Sequence, residues 1–545
     1  MVVPELRPWR AARPHVVRAA NAVRPRLARA AGAVRPGLTR AKDAVRPQLA
    51  RTVAAMKPQV TRLTRIPGPK TVRTWRYAAG ATTAGLALAA TVATVAGPWD
   101  SSGQRTAERD RAAALERTGG ADHGDDPGTA ADTPRPAPSA ASVLIGLGAA
   151  GNSVKSAPTG KALADVLGPL LGNTALGARR TAAVVDVATG RQLYGTGAGT
   201  ALTPASTTKI ATAVAALSAL GADHRLTTRA ALEPDTRELV LVGGGDPTLT
   251  ARDDTDGWAS LRELARDTAA ALKKRDITTV TLSYDKTLYA GAEMHSIGVN
   301  DNLAPVSALM ADEARTDDTA SGPAPRTTDP AKDATRTFAR LLSDNGIRTT
   351  APGPSKATGR AETLAEVSSP PLSALVERML TNSDNDIAEA LARQTAVAAG
   401  QRADFQGGGN AVRAQLKKLG LPLSGADFHD GSGLDRADRL TANLLTSLLV
   451  KAGDPAHPEL RPVLTGLPVA GFTGTLTSRY TDGAAGVVRA KTGTLTGVNT
   501  LAGTVVDQDG RLLAFAFLAS DTTNPGAAQS ALDRTATALA ACGCG

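Results

Sequence analysis

Hydrophobic and polar residues follow a strand-like pattern near the C-terminus of the chain. The segments 487–494, 500–507 and 511–520 are short and rich in apolar residues, and the triplet Gln-Asp-Gly at 508–510 separates the last two. Runs of this length bounded by turn residues are typical of β-strands. The pattern therefore predicts three antiparallel strands, the last two joined by a tight turn.

Helical patterns alternate with strand patterns earlier in the chain. Segment 210–220 is an apolar helix pattern closed by Gly221, segment 373–398 is helical in pattern, and 527–541 is a closing helix. Segment 181–195 predicts two strands around an Ala-Thr-Gly turn. Because helices and antiparallel strands occur in separate runs, we predict a mixed α/β fold.

An uncharged stretch of 21 residues, 77–97, is long enough to cross a bilayer. Trp75 and Tyr77 lie at one end and Trp99 at the other, where interfacial aromatic residues are expected. We predict a single-pass signal anchor in the cell membrane. The alternative is cleavage at 94–96 followed by secretion, although the stretch exceeds the roughly 7–15 apolar residues of a signal peptide.

Positive charge is concentrated before this stretch. The chain has a net charge of +11, yet residues 1–76 contain 18 Lys/Arg and two acidic residues, so the remainder is net acidic. Arg-Pro or Lys-Pro pairs recur every eleven residues from Pro14 to Pro58. The positive-inside rule places this basic arm in the cytoplasm and everything after residue 97 outside.

Two interpretations of the arm remain open, a solvated tail or a segment attracted to an anionic membrane surface. Nucleic-acid binding is not expected, because no aromatic residues are interleaved for base stacking. Residues 98–141 contain charges, Gly, Pro and Ser but few large apolar residues, so they cannot form a core. We predict an extracellular linker there and a folded part that begins near residue 142.

Candidate catalytic chemistry comes from three short motifs that occur in the order Ser206-Thr207-Thr208-Lys209, Ser383-Asp384-Asn385 and Lys491-Thr492-Gly493. A serine and a lysine three residues apart share one helix face, where the amine can activate the hydroxyl without a histidine. This set of S-x-x-K, S-D-N and K-T-G resembles that of the penicillin-recognising serine enzymes.

Two other matches have structural explanations. Ser283 and Lys286 also fit S-x-x-K, but they lie in a strand pattern, where residues three apart point to opposite faces. Segment 343–345 also fits S-D-N, but it ends a helix pattern that Gly346 would cap. The catalytic assignment therefore depends on the setting of each motif and on their order.

The chain resembles the class C low-molecular-mass penicillin-binding proteins, the D-alanyl-D-alanine carboxypeptidase/endopeptidases of bacterial cell walls. The resemblance covers about residues 181–541 and includes the blocks 203–209, 241–249, 304–313, 368–385 and 429–436. Lys209 and Ser383 are 174 residues apart, and the family carries extra domains inserted there. One departure is Asp435, where the family usually has serine.

The resemblance implies a β-lactamase/D,D-peptidase-like domain formed by 142–231 and 367–545, with one or more inserted domains at 232–366. It also implies a serine acyl-enzyme mechanism with these site residues: Ser206 as nucleophile, Lys209 as base, Ser383 as proton relay, Asn385 and Thr492 as substrate-binding groups, Lys491 as a cation near the substrate carboxylate, Gly493 as a close-approach position, and Thr494, with Ser206, as an oxyanion-hole donor.

The expected substrates are peptidoglycan stem peptides ending in D-Ala-D-Ala, and the expected covalent inhibitors are β-lactam antibiotics. Neither a cofactor nor a metal ion is expected. Two alternatives remain, an inactive relative that binds peptidoglycan or a partner protein, and a β-lactamase. The intact motifs argue against the first, and the long insertion argues against the second.

Overall fold

The structure, a computed structural model, describes residues 158–480 and 483–543. The strands are β1 Arg179–Asp186, β2 Gln192–Thr196, β3 Thr227–Leu232, β4 Glu238–Val242, β5 Thr279–Asp285, β6 Arg348–Thr349, β7 Gly353–Pro354, β8 Glu362–Ser368, β9 Val488–Leu495, β10 Val498–Val506 and β11 Leu512–Ser520. The helices are α1 Gly160–Leu171, α2 Thr208–Leu220, α3 Leu261–Lys273, α4 Pro330–Asp344, α5 Leu372–Asn382, α6 Asn385–Ala398, α7 Phe405–Lys418, α8 Ala442–Gly453, α9 Pro462–Thr465 and α10 Pro525–Ala540.

The first sheet has five antiparallel strands in the order β2–β1–β11–β10–β9. Its central strand β11 is buried on both faces, and its side chains alternate between two cores. Leu513, Phe515 and Phe517 pack with α1 and α10, whereas Ala514 and Ala516 pack with α2, α5, α6 and α8. The small alanine side chains let the helices that carry the motifs lie close to the sheet.

The three C-terminal strands and the closing helix predicted from the sequence are confirmed, and each observed end lies within two residues of the predicted one. The two predicted strands of 181–195 are β1 and β2, which pair as an antiparallel hairpin. The predicted mixed α/β fold is therefore confirmed.

A second, mixed sheet follows the order β6–β5–β4–β3–β8, with β7 also paired to β5. Strand β3 is antiparallel to β4 and β8, whereas β5 is parallel to β4, β6 and β7. Helices α3 and α4 cover it through a separate apolar core. Its strands occupy 227–368 and so extend beyond both ends of the predicted insertion at 232–366, with β3 lying almost wholly before it. The division of the chain into separate domains stays a prediction.

Part of the sequence analysis lies outside the described residues. The basic arm at 1–76, the anchor at 77–97, the linker at 98–141 and the start of the folded part at 142–157 all belong there. In the part of the chain that the structure describes, none of the helices is both long and apolar enough to cross a bilayer.

Candidate active site

The first motif lies at the turn that leads into α2. Ser206 is the central residue of a short 3-10 turn, and α2 begins two residues later, so the serine precedes the helix that we expected it to open. Ala205 has a left-handed φ of 49°, and the hydroxyls of Thr207 and Thr500 both donate to the Pro204 carbonyl. This unfavourable backbone conformation, fixed by neighbouring hydrogen bonds, presents the serine side chain at the surface of the cleft.

Lys209 is the buried partner of this serine. Its Nζ lies 3.0 Å from Ser206 Oγ and donates to Asn385 Oδ1 at 2.6 Å and to the Ser432 carbonyl at 2.7 Å. Burial lowers the pKa of Lys209 to about 8, although the carboxylates of Asp430 and Glu389 oppose that shift. An appreciable fraction of the amine is therefore neutral near neutral pH, as a general base requires.

The second motif lies where α5 ends and α6 begins. Ser383 has φ 59° and ψ 39°, and this left-handed conformation separates the two helices that the sequence showed as one helical pattern. Asp384 caps α6 through a hydrogen bond from the Ile387 N–H. Asn385 then faces Lys209, and its Nδ2 donates to the Asn302 carbonyl at 2.8 Å.

The third motif lies on β9, at the edge of the first sheet. Lys491 is fully buried, and its Nζ donates to Ser383 Oγ and to the Thr492 carbonyl, both at 2.8 Å. Burial, with a smaller contribution from the nearby cations Lys209 and Arg479, holds the pKa of Lys491 well below its usual value. The structure thus forms two lysine–serine pairs, one for each motif serine.

Gly493 is required by close packing behind the nucleophile. A Cβ atom at this position would lie 2.1 Å from Thr500 Oγ1 and 2.7 Å from the Pro204 carbonyl oxygen. The glycine therefore lets β9 approach the turn that carries Ser206. Its expected role in admitting a ligand to the backbone stays a prediction.

A cavity of about 240 Å³ opens over these groups. Among the predicted residues, those that line it are Ser206, Ser383, Asn385, Thr492 and Thr494. Lys209 and Lys491 lie beneath this lining, one behind each serine. The arrangement suits nucleophilic acyl transfer, because a hydroxyl, its base and a second hydroxyl–amine pair meet at one opening.

The chain matches the profile of the D-Ala-D-Ala carboxypeptidase 3 (S13) family over residues 163–324 and 321–539. The chain belongs to this family. The resemblance to class C low-molecular-mass penicillin-binding proteins is thereby confirmed, and the S13 chain is a serine-type peptidase.

Similar proteins carry names that agree with the family. Carboxypeptidase DacB of Mycolicibacterium smegmatis is 38% identical over 401 residues, which cover 71% of this chain and 86% of that protein. The D-alanyl-D-alanine carboxypeptidase of Actinomadura sp. is 30% identical over 422 residues, covering 63% and 78%. Among solved structures, penicillin binding protein 4 of Haemophilus influenzae shares the fold, with a TM-score of 0.56, 22% identity, and coverage of 68% and 97%.

Both alternative motif matches lie in the structural settings predicted for them. Ser283 is in strand β5, and Ser343 is in the last turn of α4, which precedes Gly346 at a φ of 77°. The cavity lining includes neither serine. The structure therefore brings the three motifs together and leaves both alternative serines outside the cavity lining.

A buried charge cluster beside the second motif had no clear sequence signal. Oxygen atoms of Glu313, Asp384 and Asp386 lie within 4.8 Å of one another, a spacing that could suit a metal ion. However, guanidinium groups already pair with these carboxylates, Arg378 with Glu313 at 2.7 Å and Arg326 with Asp386 at 2.9 Å. Arginine, rather than a cation site, balances the acidic charge here.

Protons are unevenly shared in this cluster. Burial and the neighbouring carboxylates raise the pKa of Asp384 well above its usual value. The pKa of Glu313 is lowered, because a hydrogen bond from Asp384 and the Arg378 guanidinium outweigh the effect of burial. Asp384 therefore favours the proton more strongly than Glu313, and the hydrogen bond between the two carboxyl groups ties the second motif to the 312–315 segment.

Proposed function

We propose that this S13 chain hydrolyses the peptide bond between the two D-alanines of peptidoglycan stem peptides through an acyl-enzyme on Ser206, and that it also cleaves D,D-cross-links. The observation that carries the proposal is the 3.0 Å contact between Ser206 Oγ and a buried lysine whose pKa is lowered to about 8. The names of its relatives agree with a D,D-carboxypeptidase.

Acylation begins with proton transfer between the first pair. Neutral Lys209 accepts the hydroxyl proton of Ser206, and Oγ forms a bond to the carbonyl carbon of the penultimate D-alanine. Asn385 Oδ1 and the Ser432 carbonyl oxygen, which already accept hydrogen bonds from Nζ, stabilise the resulting ammonium group. The backbone N–H groups of Ser206 and Thr494 stabilise the oxyanion of the tetrahedral intermediate.

The second pair serves the leaving group. Collapse of the intermediate breaks the C–N bond, and the proton that Lys209 took from Ser206 passes to the departing amine through Ser383, whose Oγ lies 2.8 Å from Lys491 Nζ. Lys491 also attracts the substrate carboxylate, which Thr492 hydrogen-bonds at the cavity wall. Water then adds to the ester at Ser206, releasing the shortened peptide and the free serine hydroxyl.

The substrate backbone lies along β9. This strand is at the edge of the first sheet, and segment 468–470 hydrogen-bonds to its outer side at Val488 and Ala490. Among the described residues, no strand pairs with the outer side of the following positions, 491–495. An extended peptide can add to such an edge. Asn385 holds the amide of the penultimate residue, and Gly493 permits a close approach of the backbone.

β-Lactam antibiotics acylate the same serine, because their amide is attacked by the same hydroxyl and their carboxylate meets the same lysine and threonine. A solved structure of penicillin binding protein 4 from Haemophilus influenzae contains a β-lactam, and that protein shares the fold of this chain. Penicillin therefore serves as a covalent probe of the Ser206 site.

The enzyme is held outside the membrane by residues 77–97, with the basic arm in the cytoplasm. Support comes from the 21 uncharged residues and the excess of arginine before them. N-terminal sequencing of the protein from membrane and secreted fractions separates the two possibilities. An intact terminus in the membrane fraction supports the anchor, whereas a secreted form beginning after residue 96 supports signal cleavage.

The test of activity is release of D-alanine from a synthetic pentapeptide and cleavage of a cross-linked muropeptide dimer by the purified full-length chain. Ser206→Ala removes the proposed nucleophile, and Ser343→Ala alters the exposed serine of the other S-D-N match. Product release that Ser206→Ala alone abolishes supports the proposal. Activity retained by Ser206→Ala contradicts it, and rapid penicillin turnover without D-alanine release indicates a β-lactamase.

A further inference from the structure

A buried histidine connects two segments that flank the catalytic pairs. His295 is 4% exposed and lies in a loop, 293–302, within the predicted insertion. Its Nε2 lies 3.1 Å from Asp430 Oδ2 in a second segment, the 430–435 turn. The Nδ1 atom accepts the backbone N–H of Ile297 at 3.2 Å, so Nε2 carries the proton and donates it to Asp430.

Asp430 is the centre of the 430–435 turn. Its carboxylate accepts the backbone N–H groups of Ser432, Gly433 and Asp435 at 3.1, 2.6 and 2.6 Å. Two buried carboxylates therefore hold the turn, because Glu389 of α6 accepts the N–H groups of Gly431 and Ser432. The histidine is a side-chain donor that reaches Asp430 from outside the turn.

The 430–435 turn touches the first catalytic pair at two points. The Ser432 carbonyl accepts from Lys209 Nζ at 2.7 Å. A Cβ at Gly433 would lie 1.9 Å from the Ala205 carbonyl oxygen, directly before the nucleophile. A small displacement of this turn would therefore change the environment of both the base and the serine.

The 293–302 loop contacts the site through Asn385. A chain of hydrogen bonds runs along it. The Gly298 N–H donates to the His295 carbonyl, Asn300 Nδ2 donates to the Gly298 carbonyl, and the Asn302 N–H donates to Asn300 Oδ1. The Asn302 carbonyl then accepts from Asn385 Nδ2 at 2.8 Å. The loop therefore helps to orient the amide side chain that faces Lys209.

We propose that His295 is a positioning residue, which fastens the 293–302 loop to the 430–435 turn and so aligns Lys209 and Asn385 together. The inference rests on the proposed function of this site. Ser296 forms a second hydrogen bond between the loop and the turn, because its hydroxyl donates to Asp435 Oδ2 at 3.3 Å. Asp435 is the residue at which this chain departs from the family pattern.

Several charged groups surround the histidine. Asp430 and Asp435 face it from the turn, and Glu389 faces it from α6. The Phe405 ring of α7 packs edge-on against the imidazole at 5.1 Å. The Arg393 guanidinium of α6 lies over the Phe405 ring, 4.6 Å from its centre. Removal of the imidazole N–H leaves the charge of Asp430 less compensated. The Lys209 amine then experiences a more negative environment, which raises its pKa.

The test compares His295→Ala and His295→Gln in the full-length chain, with fluorescent penicillin as the probe. The glutamine amide places a donor near the position of Nε2, whereas alanine removes it. The control is His429→Ala, because His429 forms a pair of the same length, 3.1 Å, with Asp427, with side chains 35% and 63% exposed. End-point labelling gives the fraction of active protein, so rate constants are compared for each active molecule.

We expect His295→Ala to lower the acylation rate constant by about 10- to 100-fold, the effect of a misplaced catalytic group. Its rate should also require a higher pH than that of wild type. His295→Gln should recover to within about threefold of wild type with the original pH dependence, and His429→Ala should match wild type.

A wild-type rate and pH profile in His295→Ala would overturn the inference, as would a glutamine variant as slow as the alanine variant. A loss of melting temperature without a change in rate for each active molecule indicates a structural role alone and also overturns it. If the proposed function itself is wrong, the result is different, because the wild-type protein then forms no covalent adduct with fluorescent penicillin.

Discussion

At the residue scale, the chemistry depends on two lysines that are buried without a carboxylate as their direct partner. The Nζ atoms of Lys209 and Lys491 are bonded to hydroxyl, amide and backbone oxygens. Burial penalises the ammonium form, so both amines can lose a proton more readily than exposed lysines. This protein environment, rather than the lysine residue type, creates the base.

The pH dependence of acylation follows from the first of these lysines. Because burial lowers the pKa of Lys209 to about 8, its neutral form increases as the pH rises through that value. We therefore expect the penicillin acylation rate constant to rise between pH 6 and pH 9 with a midpoint near 8. Labelling with fluorescent penicillin, quenched after timed intervals at each pH, measures this rate constant.

Lys209→Arg tests the same point, because a guanidinium keeps the charge but cannot act as a base at these pH values. Acylation should fall by about 10²- to 10⁴-fold, the usual contribution of a general base. Lys161→Arg, at an exposed ion pair with Asp165, is the control. A flat pH profile in wild type, or a variant that retains most of its acylation at pH 7, would contradict the assignment of Lys209.

At the element scale, β9 must lie close to the turn that carries the nucleophile. Gly493→Ala places a methyl group against Thr500 and the Pro204 carbonyl. The strand or the turn must shift, so we expect acylation to be largely lost and the protein to be destabilised by about 1–3 kcal/mol, the usual cost of overpacking. Labelling rates and thermal unfolding measure the two effects.

Gly199→Ala is the matched control for this substitution, since no atom lies within 4 Å of the added Cβ. It should leave both labelling and melting temperature close to wild type. If the two variants had the same labelling rate and melting temperature, the close approach of β9 at Gly493 would not be needed for acylation or stability.

Elements with a regular pattern could be predicted from the sequence. Strand β11 is an apolar run that follows the turn at 508–510, and α2 is capped by Gly221, so run length, turn residues and capping residues located both. The separation of α5 from α6 was visible only as polar residues, because it depends on the left-handed φ of Ser383. The left-handed turn at Asp312–Ala314 left no pattern, since non-glycine residues rarely adopt that conformation.

The site shows the same division. The motifs identified Ser206, Lys209, Ser383 and Lys491, which the structure brings together. The second motif also contains Asn385, one acceptor of Lys209, but the other acceptor could not be found in this way. The Ser432 carbonyl is a backbone atom 223 residues away in the chain, and only tertiary folding brings it there.

At the scale of the whole molecule, the Glu313 cluster connects the 312–315 segment to the second motif. Glu313 is 2% exposed and pairs with Arg315 and Arg378. Glu313→Ala removes the buried carboxylate with which both guanidinium groups pair. We therefore expect the free energy of unfolding to fall by about 3–5 kcal/mol. Urea denaturation measures it.

The control for that variant is Glu362→Ala, which removes an exposed carboxylate from Arg275. Exposed ion pairs contribute only about 0–1 kcal/mol, so its effect should be small. A Glu313→Ala protein as stable as the Glu362→Ala protein would show that the buried cluster does not hold these parts of the fold together.

A buried aspartate predicts how stability varies with pH. Burial raises the pKa of Asp246 to about 6, and its Oδ2 has no hydrogen-bond partner among the residues that the structure describes. The neutral acid is favoured in the folded state. Its stabilising contribution is therefore fully present below the unfolded pKa of about 3.9 and is lost as the pH rises through 6.

Asp246→Asn removes this titration. Relative to wild type, its free energy of unfolding should rise by about 2 kcal/mol between pH 4 and pH 7.5. Urea denaturation at both pH values measures the change, with the exposed Asp235→Asn as control. A constant difference between variant and wild type across that range would contradict the prediction.

The most direct test of the central claim is the identification of the acylated residue. The full-length chain is incubated with benzylpenicillin, and its mass is measured intact and after proteolysis. The account predicts one adduct of the antibiotic's mass on the peptide that contains Ser206, and no adduct in Ser206→Ala. An adduct on another residue, or an equal adduct in Ser206→Ala, would contradict the assignment of the nucleophile on which the mechanism rests.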